Sequence, residues 1–249
     1  MNTIKYVLLF VLAISLFSCS DDDAPTCKEL TWYQDADGDT LGNLLVTLES
    51  CNQPDGYVGN SDDIDDTDPL NLDPIITAQI TNLYAPQTGG QGQGPIGGEF
   101  IKFNFTSGQT TTNDTDWDIG FRGTTIIFNG GEETGSTDEP IRNGVAAVYI
   151  ADGTFASVAN VIEANFVQDS TGSLAIPTGS GNGWYTYDPT THLINPTNNK
   201  IIVVKTRDGK YVKIKIISYY KDLDSSNSAY ARYFTFDYVY QPNNGINSF

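Results

Sequence analysis

One histidine, one methionine and three cysteines among 249 residues leave this chain little material for nucleophilic or soft-ligand chemistry. A catalytic triad would have to centre on His192, and no Gly-x-Ser-x-Gly elbow exists to feed it. Carboxylates are plentiful, but they are bunched rather than set singly on strands as a glycosidase pair would be. These absences point away from an enzyme. Basic residues are also scarce: 13 Lys and Arg against 31 Asp and Glu give a net charge of -18, which repels nucleic acid at every approach. After the first 18 residues no apolar run approaches the roughly 20 needed to span a bilayer.

What is present begins with a leader. Residues 1–18 carry Lys5 and a continuous apolar stretch up to Phe17, the pattern of a secretory signal peptide. Leu16-Phe17-Ser18-Cys19 resembles a bacterial lipobox, in which Cys19 becomes the acylated first residue. The following Ser20-Asp21-Asp22-Asp23 resembles the acidic tag that sends Bacteroidetes lipoproteins to the outer face of the outer membrane. The expectation is a lipid-anchored protein facing the cell exterior, with residues 19–29 as an acidic tether; an ordinary cleaved signal is the alternative. With Cys19 lipidated, Cys27 and Cys51 remain, and two cysteines in an oxidising compartment most simply pair.

The negative charge is concentrated. Between Cys19 and Pro74, 13 Asp and 2 Glu face the single base Lys28, so this quarter of the chain carries -14 of the total. Two clusters hold most of the acids: Asp35, Asp37 and Asp39 around Gly38, and Asp63, Asp65, Asp66 and Asp68 before Pro69. Carboxylates at alternate positions in a Gly-containing loop can turn together onto one hard cation, Ca2+ being the natural one, and repel one another without it. Val46 stands where an EF-hand would need its bidentate Glu. Residues 30–69 instead resemble the calcium-binding repeat of thrombospondin type 3 and its bacterial metal-binding relatives, in Tyr33-x-Asp35-x-Asp37-Gly38-Asp39, Cys51, Pro54, Gly56-Tyr57-Val58 and the closing Asp-rich run. Ile64 occupies the position of that family's second cysteine, which leaves Cys27 as the partner for Cys51. The competing interpretation is an acidic, disordered spacer.

The remainder, residues 70–249, has a period of two. Strands are expected near 75–80, 99–105, twice within 116–128 with a break at Gly123, and at 233–240, where Phe234, Phe236, Tyr238 and Tyr240 share a face. Asp208-Gly209 suits a two-residue hairpin turn inside 200–220. On its second arm Lys213 and Lys215 share a solvent face opposite Val212, Ile214 and Ile216. Helical spacing of Phe155, Val158, Ile162 and Phe166 suggests one short helix. The Gly-rich stretch 87–98 lacks Gly-Lys-Ser/Thr and is not a phosphate cradle. The expected fold is all-β, two packed antiparallel sheets preceded by a small irregular Asp-rich calcium-binding module.

Several ordered motifs in this body, among them Asp116-Trp117-Asp118-Ile119-Gly120-Phe121-Arg122, Gly183-Trp184-Tyr185-x-Tyr187, 203–213 and 233–241, resemble the HmuY family of Bacteroidetes haem-binding lipoproteins over roughly 75–243. The resemblance implies haem capture for iron acquisition and delivery to a TonB-dependent outer-membrane receptor. It directs attention to His192 as iron ligand, with Trp184, Tyr185 and Tyr187 as neighbouring aromatics. Tyr185, Tyr187, Tyr149, water or a histidine from a second copy would then fill the opposite axial position. A lone histidine in a Pro- and Thr-rich loop is equally what an ordinary surface residue looks like, and Trp117 and Asp118 read as structural. A calcium-stiffened surface lipoprotein that binds a protein or glycan without haem is the alternative.

Overall fold

The computed structural model describes residues 27–90 and 92–249. The leader, Cys19 and the acidic tag fall outside the described residues. The chain divides into two compact units, one ending at Asn71 and one running from Leu72 to Phe249.

The first unit is more regular than its acidic sequence suggests. Strand β1 (Leu30–Gln34) pairs antiparallel with β2 (Asn43–Ser50) on one edge and with the short β3 (Tyr57–Val58) on the other. Cys27 and Cys51 are bonded, with Cα atoms 5.8 Å apart. The bond closes the open end of the β1–β2 pair, where Leu30 faces Ser50. The Trp32 indole N–H donates to the Ser50 carbonyl at 3.0 Å.

In the second unit a five-stranded antiparallel sheet has the order β4-β14-β13-β12-β9. Its members are β4 (Ile76–Tyr84), β9 (Ala147–Asp152), β12 (Lys200–Lys205), β13 (Tyr211–Tyr220) and β14 (Ala231–Gln241). A four-stranded sheet, β6-β5-β7-β8, is built from β5 (Ile101–Asn104), β6 (Gln109–Thr111), β7 (Ile119–Arg122) and β8 (Thr125–Phe128). The two pack face to face through aromatics: Phe103 meets Phe236 edge-on with centroids 5.9 Å apart, and Phe121 stacks on Phe236 at 5.7 Å. Alternation puts Phe234, Phe236, Tyr238 and Tyr240 on this inner face, where all are buried. A separate hairpin, β10 (Tyr185–Asp188) with β11 (Leu193–Pro196), forms a two-stranded sheet of its own.

The Asp-Trp-Asp motif is structural. The Trp117 indole is buried and donates to the carbonyls of Asp114 and Ile141. The Asp118 carboxylate accepts the amides of Phe105 and Arg207, 13 and 89 residues away in sequence, tying two chain segments to the start of β7. Burial raises its pKa, while those two amides and the Arg207 charge oppose the rise.

Three local expectations are corrected. The helix over 155–166 is absent; only a single 3-10 turn, Glu163–Asn165, forms there. Val158 and Val161 are buried against Tyr149, Ile201, Val203 and Tyr211 on the outer face of the five-stranded sheet, while Ile162 is exposed, so this segment packs without a continuous apolar stripe. That covering also buries Lys213, expected in solvent: its Nζ donates to the Val158 carbonyl at 2.9 Å and lies over the Phe155 and Phe249 rings, and burial lowers its pKa. Finally, the 200–220 hairpin turns through three residues rather than two. The Gly209 amide donates to Thr206 O and only Gly209 has a positive φ, +89°, the pattern of a type I turn closed by a left-handed glycine.

Tyr211 lies under the same covering. Burial, then its hydrogen bond to Glu163 and that carboxylate's charge, push the phenol up to about 12. A phenol that ionises later in the folded state contributes stability below its ordinary value of 10.0, and that contribution disappears as pH climbs to about 12. Denaturant midpoints measured across that window are expected to fall more steeply for the native chain than for Tyr211→Phe.

Candidate functional site

Backbone turns arrange the acidic loops of the first unit. Each carboxylate caps the chain: Asp35 accepts Gly38 N at Oδ1 and Thr40 N at Oδ2, Asp37 Oδ1 accepts Asp39 N, Asp39 Oδ1 accepts Leu41 N and Asp63 Oδ1 accepts Asp65 N. Asp66 bridges the two loops by accepting Ala36 N at 2.6 Å and the Asn43 side-chain amide at 3.5 Å. Gly42 lets the loops meet. Its carbonyl accepts Asp63 N, and a Cβ there would lie 2.4 Å from Asn60 O and 2.5 Å from Tyr33 Cβ.

Carboxylate oxygens of Asp35, Asp37 and Asp39 lie within 4.8 Å of one another, and so do those of Asp37, Asp63 and Asp66. Asp37 Oδ2 and Asp63 Oδ2 are buried without a hydrogen-bond partner. Both groups have raised pKa values, chiefly from loss of solvent and also from neighbouring carboxylates, with amide hydrogen bonds opposing. Clustered anions of which two, Asp37 and Asp63, each turn an oxygen without a protein donor inward form a donor set suited to a hard cation. Asp65 and Asp68 stand outside both groups; Asp65 accepts the Thr67 amide and hydroxyl, and Asp68 accepts Leu70 N.

In the second unit the aromatic run divides. Trp184, expected beside the iron ligand, is a core residue: it packs on Phe234 with centroids 5.1 Å apart, and its indole N–H donates to Thr124 O. Tyr185 is buried next to it, and its hydroxyl accepts Gly179 N at 3.0 Å. Neither ring wall is available to a ligand. Tyr187 is 42 % exposed and its hydroxyl lies 2.5 Å from His192 Nδ1.

His192 is exposed at the end of the β10–β11 turn, with φ +59°. Asp188 organises that turn by accepting the Thr190 amide and the Thr191 amide and hydroxyl, which also holds its pKa low. The Tyr220 hydroxyl, accepting Ile194 N, ties the hairpin to β13. The imidazole is thus held through Nδ1 while Nε2 has no protein partner among the described residues. Asp188 was missed in the sequence, although Asp followed by Pro, Thr and Thr is a turn signal.

A cleft of about 730 Å3 in this unit lies elsewhere, between the β5–β6 hairpin and residues 138–140, and is lined by Lys102, Thr111, Asp114, Asp138 and Glu139 among others. Another, about 480 Å3, belongs to the first unit and lies beside residues 53–58. His192 lines neither.

An all-β sandwich with a tethered aromatic hairpin defines the class, and sequence comparison gives the family. Residues 98–238 match the model of the HmuY protein family, and the chain belongs to that family. Among solved structures the apo HmuY analog of Tannerella forsythia superposes with a TM-score of 0.45 at 14% identity, covering 69% of this chain and 99% of that one. A candidate HmuY-like haem-binding protein of Bacteroides vulgatus gives 0.39 at 17%, covering 68% and 93%. A candidate lipoprotein of Bacteroides fragilis gives 0.39 at 15%, covering 68% and 90%. Family membership rests on the sequence match and not on these superpositions. No curated protein matches the chain.

Proposed function

We propose that this chain is a surface lipoprotein that binds haem for iron acquisition, with His192 as the axial ligand its own sequence supplies. The observation that carries the proposal is the imidazole's setting: on the exposed His192, Nδ1 is held by Tyr187 while Nε2 has no hydrogen-bond partner among the described residues, which is how a second group orients a ligating histidine. The imidazole suits one axial position of haem iron, but the slot does not come with it: Trp184 and Tyr185 are buried in the core and His192 lines neither of the two clefts, so the described residues around it offer Tyr187 as the one exposed aromatic. Membership in the HmuY family supports the haem reading, as does the name of the Bacteroides vulgatus relative. Delivery to a TonB-dependent outer-membrane receptor and anchoring through Cys19 belong to the same proposal. Mixing the chain with haemin is expected to produce a sharpened, shifted Soret band, and unchanged free-haemin absorbance would rule the reading out. Tyr187→Phe keeps the ring and removes the oxygen that fixes Nδ1, so haemin affinity is expected to fall about 10- to 100-fold.

The Asp loops are the accessory part: Ca2+ held by Asp35, Asp37, Asp39, Asp63 and Asp66. The orphaned oxygens of Asp37 and Asp63 support it. Calcium at a hundred times its dissociation constant is expected to add about 2.7 kcal/mol to the stability of the first unit, removable with EDTA. Gly42→Ala retains every carboxylate but separates the loops. Calorimetric titration is expected to show weaker calcium binding in this variant; unchanged affinity would mean that the two loops do not share the ion.

A further inference from the structure

Resting on the anchoring through Cys19 proposed above, we propose that Leu44, Leu45 and Val46 of the first unit insert into the lipid surface to which the chain is tethered. These three consecutive aliphatic residues are 60 %, 90 % and 38 % exposed. A leucine exposed singly needs no explanation, whereas a contiguous apolar run open to water does.

The local register makes the run protrude. Tyr33 of β1 faces Thr47 of β2, yet the next residue, Gln34, faces Asn43, so the three residues between have no partner on β1 and form a bulge. Asn43 holds its base: its side-chain oxygen accepts the Leu45 amide at 2.8 Å, and its backbone bridges to Asp63. A bulge interrupts pairing along a strand edge, so this one offers side chains rather than backbone hydrogen bonds to whatever it meets. Apolar exposure continues along the same hairpin at Leu48, 44 %, and Leu30, 46 %. No residue from Asn43 to Leu48 is charged.

Tether and charge make the occupant a bilayer. Cys27 lies eight residues beyond Cys19, a reach of at most about 29 Å. It is bonded to Cys51, next to Ser50 at the end of β2, and the bulge begins about 13 Å along that strand. An acylated Cys19 therefore keeps the bulge within roughly 45 Å of the membrane, a high local concentration for even weak insertion. A second copy is the poorer occupant: with 13 Asp and 2 Glu against one Lys between Cys19 and Pro74, two such units repel at close approach. The same charge selects a zwitterionic headgroup over an anionic one.

The test uses phosphatidylcholine vesicles and the chain from residue 19 onward, acylated or carrying Cys19→Ser and so without lipid. The Cys19→Ser chain is expected to float with the vesicles in a density gradient. Adding Leu44→Asn and Leu45→Asn is expected to weaken that binding about 10- to 100-fold. Leu223→Asn, at a leucine of the second unit that is 59 % exposed, is expected to leave it unchanged. All these positions are exposed, so circular dichroism is expected to match the native chain. In the acylated chain, Leu45→Trp is expected to add fluorescence that brominated lipids quench, the native chain serving as baseline. Binding that requires the acyl group and ignores Leu44 and Leu45, with no added quenching, would overturn the insertion and leave the anchor standing. Absence of an acyl group in the mass of the cell-derived chain would overturn the anchor, while flotation of the Cys19→Ser chain still decides insertion. Vesicle-free dimers abolished by Leu44→Asn and Leu45→Asn would assign these residues to a second copy and overturn the proposal.

Discussion

Arg142→Ala is expected to lower the unfolding free energy by about 3–5 kcal/mol, the cost of leaving buried charges unpaired. Arg142 sits between Glu139 and Asp169, each contact being 2.5 Å, and all three side chains are almost wholly buried. Asp169 also accepts the amides of Phe128 and Ala175. Its carboxylate therefore joins β8 to the segment beyond β9, with Arg142 as its counter-ion. Removing the guanidinium strands two carboxylates, and Glu139, whose pKa the Thr134 and Ser136 groups and Arg142 together hold low against burial, loses its cation. Equilibrium denaturation gives the answer directly. A lower midpoint at unchanged slope is the expected result, and a loss under about 1 kcal/mol would mean that water or neighbouring groups replace the ion pair.

The second large effect is on haemin. His192→Gly removes the imidazole at a position whose φ of +59° glycine adopts without strain, so the fold is expected to be unharmed or slightly stabilised. The Soret change on haemin addition is expected to vanish. Free imidazole is then expected to restore a histidine-like spectrum if the remainder of the site holds the porphyrin. The combination separates loss of the ligand from loss of the hairpin: circular dichroism and thermal midpoint should match the native chain while the haemin spectrum does not. A His192→Gly chain that still shifts the Soret band like the native one would remove this residue from the iron.

The sheets were legible because their pattern is local and repetitive. Alternation along 233–240 placed four aromatics on one face, and β14 buries those four in the core. The helical spacing at 155–166 misled because four apolar residues three or four apart need not share a helix; here individual side chains sit on a sheet already formed by distant strands. Lys213 illustrates the same limit. Its alternation was read correctly, but the cover that buries it comes from residues around Val158 and from Phe249, which strand periodicity does not encode. At the site, the proximity of Tyr187 and His192 follows from a hairpin whose strands pair Tyr187 with Ile194, a register set by the Asp188 turn. Trp184 and Tyr185 were drawn into the same expectation by nearness in sequence, yet they belong to the core beneath that hairpin.

Because the chain has a single histidine, its imidazole nitrogens give one assignable pair of signals in a nitrogen-correlated nuclear magnetic resonance spectrum. Gallium protoporphyrin, a diamagnetic stand-in for ferric haem, allows them to be followed during binding. The account expects Nε2 to shift strongly on metal coordination while Nδ1 stays bonded to Tyr187. Porphyrin binding that leaves both nitrogens where they were in the free chain would contradict it.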